Sequence, residues 1–199
     1  MKKLIVGIGG MTNGGKSTLS RSLQAVLPNS CIISQDSFFK DDSVVPVDSH
    51  GFKQYDMLDA LHMDRMMHEI KSWMQDPQRF MQSQGLTVKC PVSEKGNDIF
   101  SLIVEGFLIF NYGPLNTLFD KRYFLQIPYE MCKLRRSSRV YVPPDPVGYF
   151  DGHVWPMYLK NRKEMEDTVQ DLVFLDGTQK REDLLARVSE DIQQMFTVV

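Results

Sequence analysis

Apolar residues along this chain alternate between short continuous runs and stripes at helical spacing. Leu4 to Ile8, Ser30 to Ser34, Ile99 to Val104, Arg122 to Ile127 and Leu172 to Leu175 are the runs, each of strand length. Between the first two, Lys16 to Leu27 carries Leu19, Leu23, Val26 and Leu27 one helical turn apart. A second stripe, Met63, Met66, Met67, Ile70 and Met74, predicts a helix opened by Asp56, and reads as core packing rather than as a methionine-rich recognition face. Further helices are predicted over Tyr129 to Arg139, from Trp155 to about Val169, and at the C-terminus with Leu185, Val188, Ile192 and Met195 on one face. Two stretches break the pattern. Gln75 to Asn97 is aperiodic and polar, as expected of a surface loop or lid-like insertion. Tyr141 to Pro156 combines Pro143, Pro144, Pro146, Gly148 and Gly152 with aromatics, which suits either a rigid loop holding a planar base or a lid closing the core through Tyr149, Phe150 and Trp155.

Composition narrows the class. A chain of 199 residues with 42% hydrophobic content is large enough for one domain with a substantial core, and one domain, 1–199, is expected. A formal net charge of −2 provides no general field for nucleic acid, so anion binding should be local and no nucleic-acid partner is expected. Three cysteines, Cys31, Cys90 and Cys132, contain no C-x-x-C pair and are odd in number, which argues against a disulfide framework and for a reducing cytoplasm. Five apolar-leaning residues after Lys2 and Lys3 are too few for a signal-peptide core or a membrane span, so no membrane association is expected. His62 and His68 are not spaced as a helical metal pair.

Chemistry concentrates between the first strand and the first helix. Gly10-Met11-Thr12-Asn13-Gly14-Gly15-Lys16-Ser17 fits G-x-x-x-x-G-K-[ST] without a mismatch, with strand, loop and helix in the required order. Glycines there let consecutive N–H groups approach phosphate oxygens at the positive end of a helix dipole. Lys16 then supplies a point charge to the β and γ phosphates, and the Ser17 hydroxyl is placed to ligate magnesium. A dinucleotide fingerprint fails, because Gly7 and Gly9 are followed by Thr12 where the third glycine belongs.

Two acids end predicted strands. Ligands of parallel α/β sheets sit beyond the carboxyl ends of the strands, so Asp36 should emerge beside the P-loop, where a carboxylate can accept a proton from an attacking hydroxyl or help hold magnesium. Glu105, followed by Gly106, occupies the place of a Walker B acid acting through magnesium. The helix from Tyr129 gathers Lys133, Arg135, Arg136 and Arg139, whose i, i+3 and i, i+4 spacing would let three guanidiniums converge on one triphosphate in a phosphoryl-transfer lid. From pattern alone, Asp56 reads equally as a helix N-cap and Tyr55 as a packing anchor.

Taken together, the P-loop, Ser34-Gln35-Asp36 with Phe38-Phe39-Lys40, Gly51-Phe52, Gln54-Tyr55-Asp56, Glu105-Gly106-Phe107-Leu108, Arg135 to Arg139, and Tyr149-Phe150-Asp151-Gly152-His153-Val154-Trp155-Pro156-Met157-Tyr158 closely resemble the nicotinamide riboside kinases. These are a branch of the P-loop small-molecule kinases related to uridine and pantothenate kinases. The resemblance spans almost the full length, and the Tyr149 to Tyr158 run is its most specific part. It implies phosphorylation by ATP, with GTP the alternative donor, of the ribose 5′-hydroxyl of nicotinamide riboside to give nicotinamide mononucleotide for NAD synthesis. It further implies that Gly10, Met11, Thr12, Asn13, Gly14, Gly15, Lys16, Ser17 and Thr18 hold the nucleotide with Arg135 and Arg139, and that Gln179, Lys180 and Arg181 border the adenine. Asp36 would be the proton acceptor and, with Ser17, the Mg2+ site; Tyr55 and Tyr141 would flank the nicotinamide, with Phe39 nearby, while Asp56 and Arg136 hold the ribose. Ser37 departs from the family, which usually has a second Asp there.

The expected architecture is a three-layer α/β fold of P-loop NTPase type, with a mostly parallel central sheet and a helical lid around 129–157. A GTPase would need N-K-x-D, which is absent, and the D-x-x-G matches at Asp48 to Gly51 and Asp145 to Gly148 follow no strand. A uridine or cytidine kinase shares the P-loop and Asp36 but not the Tyr-to-Tyr sandwich. A non-catalytic nucleotide-binding protein would show no turnover. Protein partners are not legible in the sequence.

Overall fold

A computed structural model of the chain describes residues 1–89, 99–142 and 144–197. Among them, strands β1 (Lys2–Gly10), β2 (Ser30–Ser34), β3 (Ile99–Gly106), β4 (Lys121–Gln126) and β5 (Leu172–Asp176) form one parallel sheet in the order β2-β3-β1-β4-β5. Helices α1 (Lys16–Val26), α2 (Met63–Gln75), α3 (Pro77–Ser83), α4 (Gly113–Asn116), α5 (Tyr129–Ser137), α6 (Trp155–Thr168) and α7 (Arg181–Thr197) cover its two faces. This is the expected three-layer α/β architecture.

Alternation along the central strand assigns the layers. Leu4, Val6 and Ile8 face α1 and α7, where they pack with Leu19, Leu23, Leu184, Val188 and Ile192. Ile5 faces the opposite layer with Phe100, Leu102 and Val104, against Met66, Ile70 and Trp73 of α2. On this second face Gly7 and Gly9 seat the ring of Phe110, which a Cβ on either would approach to 2.8 and 2.5 Å. Their G-x-G spacing is therefore a packing device, consistent with the failed dinucleotide match. Asp48, one of the two D-x-x-G acids, likewise acts locally, its Oδ1 accepting from the N–H groups of His50 and Phe52 to shape a turn.

Several expectations need correction. Helix α2 begins at Met63, not Asp56, because a 3-10 turn over Leu58–Ala60 intervenes, and fully buried Trp73 continues its stripe. Within the aperiodic stretch, Asp76 Oδ1 accepts from Arg79 N at 3.0 Å and caps α3; residues 90–98, including Cys90, lie outside the described residues, as does Pro143. Val26 is 53% exposed, and the buried stripe of α7 runs through Leu184 rather than Leu185, leaving Met195 in solvent. Helix α5 stops at Ser137, two residues short of Arg139. Ahead of α6, a π-helical turn over Phe150–Val154 buries Tyr149, Phe150 and Val154 in a third cluster with Met11, Ile127 and Cys132, so the aromatic loop does close a core, one that lies directly behind the P-loop. Cys31 and Cys132 are buried free thiols. No helix among the described residues is long and apolar enough to cross a membrane.

Candidate active site

Strand order reverses about β1, whose neighbours are β3 and β4, and the carboxyl ends of β1, β2 and β3 open on one edge of the sheet at this switch point. The loop leaving β1 has Asn13 at φ 58° and Gly15 at φ 96°, a left-handed geometry that costs a glycine little. Gly14 N donates to Met11 O at 3.0 Å and closes the turn. Helix α1 follows with no side-chain cap and no acid in its first turn, so its free N–H groups and dipole are left for an anion.

Lys16 is enclosed, its Nζ donating to Met11 O at 2.9 Å. Burial pushes its amine below the ordinary lysine value, against the opposing pull of the Asp36 and Glu105 carboxylates. Glu105 is itself buried at 5% exposure and accepts from Ser17 Oγ at 3.1 Å and from Ser34 Oγ at 2.6 Å. Among the described residues no three His, Cys, Asp or Glu side chains cluster as a metal cage. A hydroxyl backed by a carboxylate nevertheless fits magnesium, which takes hard oxygen ligands and is commonly held by one or two side chains plus substrate phosphates.

Asp36 lies on the 3-10 turn Gln35–Phe38 that leaves β2, and the turn is fixed by buried Gln35, whose Oε1 accepts from Leu108 N at 2.9 Å. Asp36 lines a cavity of about 570 Å³ together with Thr12, Phe39, Tyr55, Asp56, Arg136, Arg139 and Tyr141. Phe39 meets Tyr55 edge-on at 5.7 Å and stacks on Phe107 at 5.7 Å, making an aromatic wall. The Tyr55 hydroxyl bonds Asp42, and burial together with that carboxylate pushes it up to about 12. Ser37 faces a different groove, with Phe38, Arg65 and Glu69, so a carboxylate missing at 37 is missing outside this cavity.

The arginines divide. Arg135 Nη1 donates to Asn13 O at 3.2 Å and Arg139 Nη1 to Asn13 Oδ1 at 3.3 Å, so both reach the P-loop. Arg136 instead makes a two-pronged pair with Asp145, at 2.6 and 3.0 Å, so the three guanidiniums do not converge as their spacing suggested. Burial would lower the Arg136 pKa, but Asp145, Tyr141 and Asp56 outweigh it and raise the value. The Arg136 guanidinium also lies 4.5 Å from the Tyr141 ring centroid, while the Tyr141 hydroxyl accepts from Asn13 Nδ2 at 3.2 Å. Asp56 is not an N-cap: its carbonyl accepts from Asn161 Nδ2 at 2.9 Å and its Oδ2 lies 3.4 Å from His153 Nε2. On the other side of the P-loop, a Cβ on Gly177 would come within 3.0 Å of Gly14 O, so the β5–α7 turn abuts the phosphate loop. Of its residues, Gln179 and Lys180 are exposed, and Arg181 donates to Ser22 Oγ of α1 at 2.6 Å. Sequence reasoning gave no role to Asp145, His153 or Asn161: Asp145 was set aside with the D-x-x-G match, His153 lay unremarked inside the Tyr149 to Tyr158 run, and Asn161 carries no motif signal; Asn13 was inside the motif, but its contacts with Arg139 and Tyr141 were not foreseen.

Comparison with known proteins places this geometry. No protein-family model matches the chain. Mouse (Mus musculus) nicotinamide riboside kinase 1 is 53% identical over 194 residues, covering 98% of this chain and 96% of the relative. The human (Homo sapiens) nicotinamide riboside kinase 2 is 51% identical over 191 residues, covering 96% of this chain and 81% of the relative. The chain belongs to the nicotinamide riboside kinase family. The Schizosaccharomyces pombe nicotinamide riboside kinase is 27% identical, at 82% and 81% coverage. Among solved structures, a candidate fructose transport system kinase from Silicibacter sp. matches at a TM-score of 0.57 and 16% identity, covering 87% of this chain and 90% of that one, a likeness of fold alone.

Proposed function

We propose that this family member transfers the γ-phosphoryl group of ATP to the ribose 5′-hydroxyl of nicotinamide riboside, giving nicotinamide mononucleotide. The observation that carries the reading is the single cavity in which Asp36 and Thr12, at the phosphate end, face the aromatic residues Tyr55 and Tyr141. Asp36 accepts the hydroxyl proton as the oxygen attacks. Lys16 and the loop N–H groups carry the nucleotide phosphates, joined by Arg135 and Arg139, and the 179–181 turn borders the adenine. Magnesium, when bound, neutralises charge between the β and γ phosphates; Ser17, Glu105 and Asp36 are the groups that would hold it or its waters.

At the other end, Asp56 and Arg136 take the ribose hydroxyls while Tyr55 and Tyr141 flank the base. A cationic pyridinium suits these rings, and Tyr141 already holds a guanidinium near its ring. The whole chain works as one phosphotransfer domain with 129–157 as its lid. Buried free thiols at Cys31 and Cys132 support a cytoplasmic setting.

Phosphate transfer measured across ribonucleosides, with ATP and GTP as donors, tests the reading. The expected result is the highest kcat/KM for nicotinamide riboside and poor use of 2′-deoxyribosides, since a missing hydroxyl strands the partly buried Asp56 and Arg136. A higher kcat/KM for uridine or cytidine, or no turnover on any nucleoside, overturns it.

A further inference from the structure

The Tyr149 to Tyr158 run is the most specific part of the family resemblance, yet the phosphotransfer reading gives its buried polar side chain, His153, no role. That side chain is 3% exposed, and its Nε2 has no hydrogen-bond partner of good geometry although it is shut away from water. Buried polar atoms are rarely left so. Asp56 Oδ2, an acceptor, lies 3.4 Å from Nε2, on the wall of the nucleoside cavity.

A donor on the far side of the ring matches a proton carried on Nε2. Gln54 Nε2, a donor, sits 3.4 Å from His153 Nδ1; in the tautomer in which Nδ1 accepts from it, the ring N–H is on Nε2, the nitrogen 3.4 Å from Asp56 Oδ2. The ring stacks on Tyr149 at 5.1 Å and 19°, and the Tyr149 hydroxyl is anchored on Lys53 O at 2.6 Å. All of this depends on the π-helical turn Phe150–Val154, a geometry that recurs at functional sites. Because Asn161 holds the Asp56 backbone carbonyl, the remaining freedom of that residue is the rotation of its carboxylate.

We infer that His153 is a positioning residue that donates from Nε2 to Asp56 Oδ2 and so orients the Asp56 carboxylate toward the ribose hydroxyls. The inference rests on the reading of Asp56 as a ribose ligand. The 3.4 Å contact shortens when the other carboxylate oxygen accepts from the sugar, as ligand-site hydrogen bonds commonly do. No proton is transferred, and His153 does not touch the reacting atoms.

A glutamine amide nitrogen reaches about where Nε2 lies, and an asparagine amide about where Nδ1 lies, so the two amides separate the roles. Steady-state kinetics with nicotinamide riboside and ATP are measured for His153→Gln, His153→Asn, Asp56→Asn and the double variant Asp56→Asn with His153→Asn, with thermal unfolding of each recorded. His153→Asn should raise the nucleoside KM roughly tenfold while leaving kcat and the ATP KM within about twofold, and His153→Gln should restore most of the loss. The double variant should be no worse than Asp56→Asn alone, because His153 acts through that carboxylate. If Asp56→Asn itself leaves the nucleoside KM unchanged, the ribose reading is what fails. If Asp56→Asn raises KM but His153→Asn does not, or the two losses multiply, or Gln and Asn losses simply follow thermal stability, the positioning role is refuted while the ribose reading stands.

Discussion

Asn13 joins the phosphate loop to the arginine-bearing segment, and its removal has a calculable effect. Its side chain accepts from Arg139 and donates to the Tyr141 hydroxyl, at 3.3 and 3.2 Å, while its backbone carbonyl, which no substitution deletes, accepts from Arg135. Two partly exposed hydrogen bonds are worth about 0.5–1 kcal/mol each, so their loss should free the 129–142 segment by about 1–2 kcal/mol, a factor of roughly 5–30 in its opening equilibrium. The choice of replacement matters because Asn13 sits at φ 58°. Alanine there would add left-handed strain of about 1 kcal/mol, whereas glycine removes the two contacts without it. Hydrogen exchange in the ligand-free protein is the assay. Asn13→Gly should speed exchange of the α5 amides by that factor with little change in global stability, and Asn13→Ala should show the same local release plus a lower unfolding temperature. Unaltered α5 exchange in Asn13→Gly would refute the claim that this side chain latches the segment.

Three other outcomes are expected. Asp36→Asn should keep nucleotide binding and lower kcat by roughly 10²- to 10⁴-fold, the usual share of a positioned base; near wild-type turnover removes Asp36 from that role. Because burial depresses the Lys16 pKa below 10.5, rising pH should strip its charge early: the alkaline limb of kcat/KM for ATP, which reports the free enzyme, should fall below 10.5, and the limb of kcat should lie higher because bound phosphates favour the ammonium. Coincident limbs at or above 10.5 would contradict a desolvated amine. Gly106→Ala places a Cβ 2.5 Å from Gln35 and 2.8 Å from Ile109, and should cost about 1–3 kcal/mol, seen as a Tm lowered by roughly 2–12 °C; a change within about 1 °C would mean that Gln35 yields easily.

What the sequence made legible divides along a physical line. The phosphate loop could be read residue by residue because its geometry is local: one short continuous stretch contains the turn, the glycine at positive φ, the lysine and the helix start. The strands were also clear, the central β1 and β3 most of all, since burial on both faces makes a parallel strand a continuous apolar run. Helix registers were less so. Leu184 and Leu185 are both leucine, and only packing of α7 on α1 and the sheet decides that Leu184 goes inside. Asp56 shows the limit most plainly. Its residue type and its position before an apolar stripe are those of an N-cap, yet the helix starts only at Met63 and the carboxylate faces His153, far along the chain. Nothing in a one-dimensional pattern records that approach, because it is produced by a π-helical turn whose own sequence, Phe150-Asp151-Gly152-His153-Val154, has no periodicity to betray it. Pairings of this kind decide what the cavity can hold, and they are the contacts that must be seen in three dimensions before a residue such as His153 acquires a role.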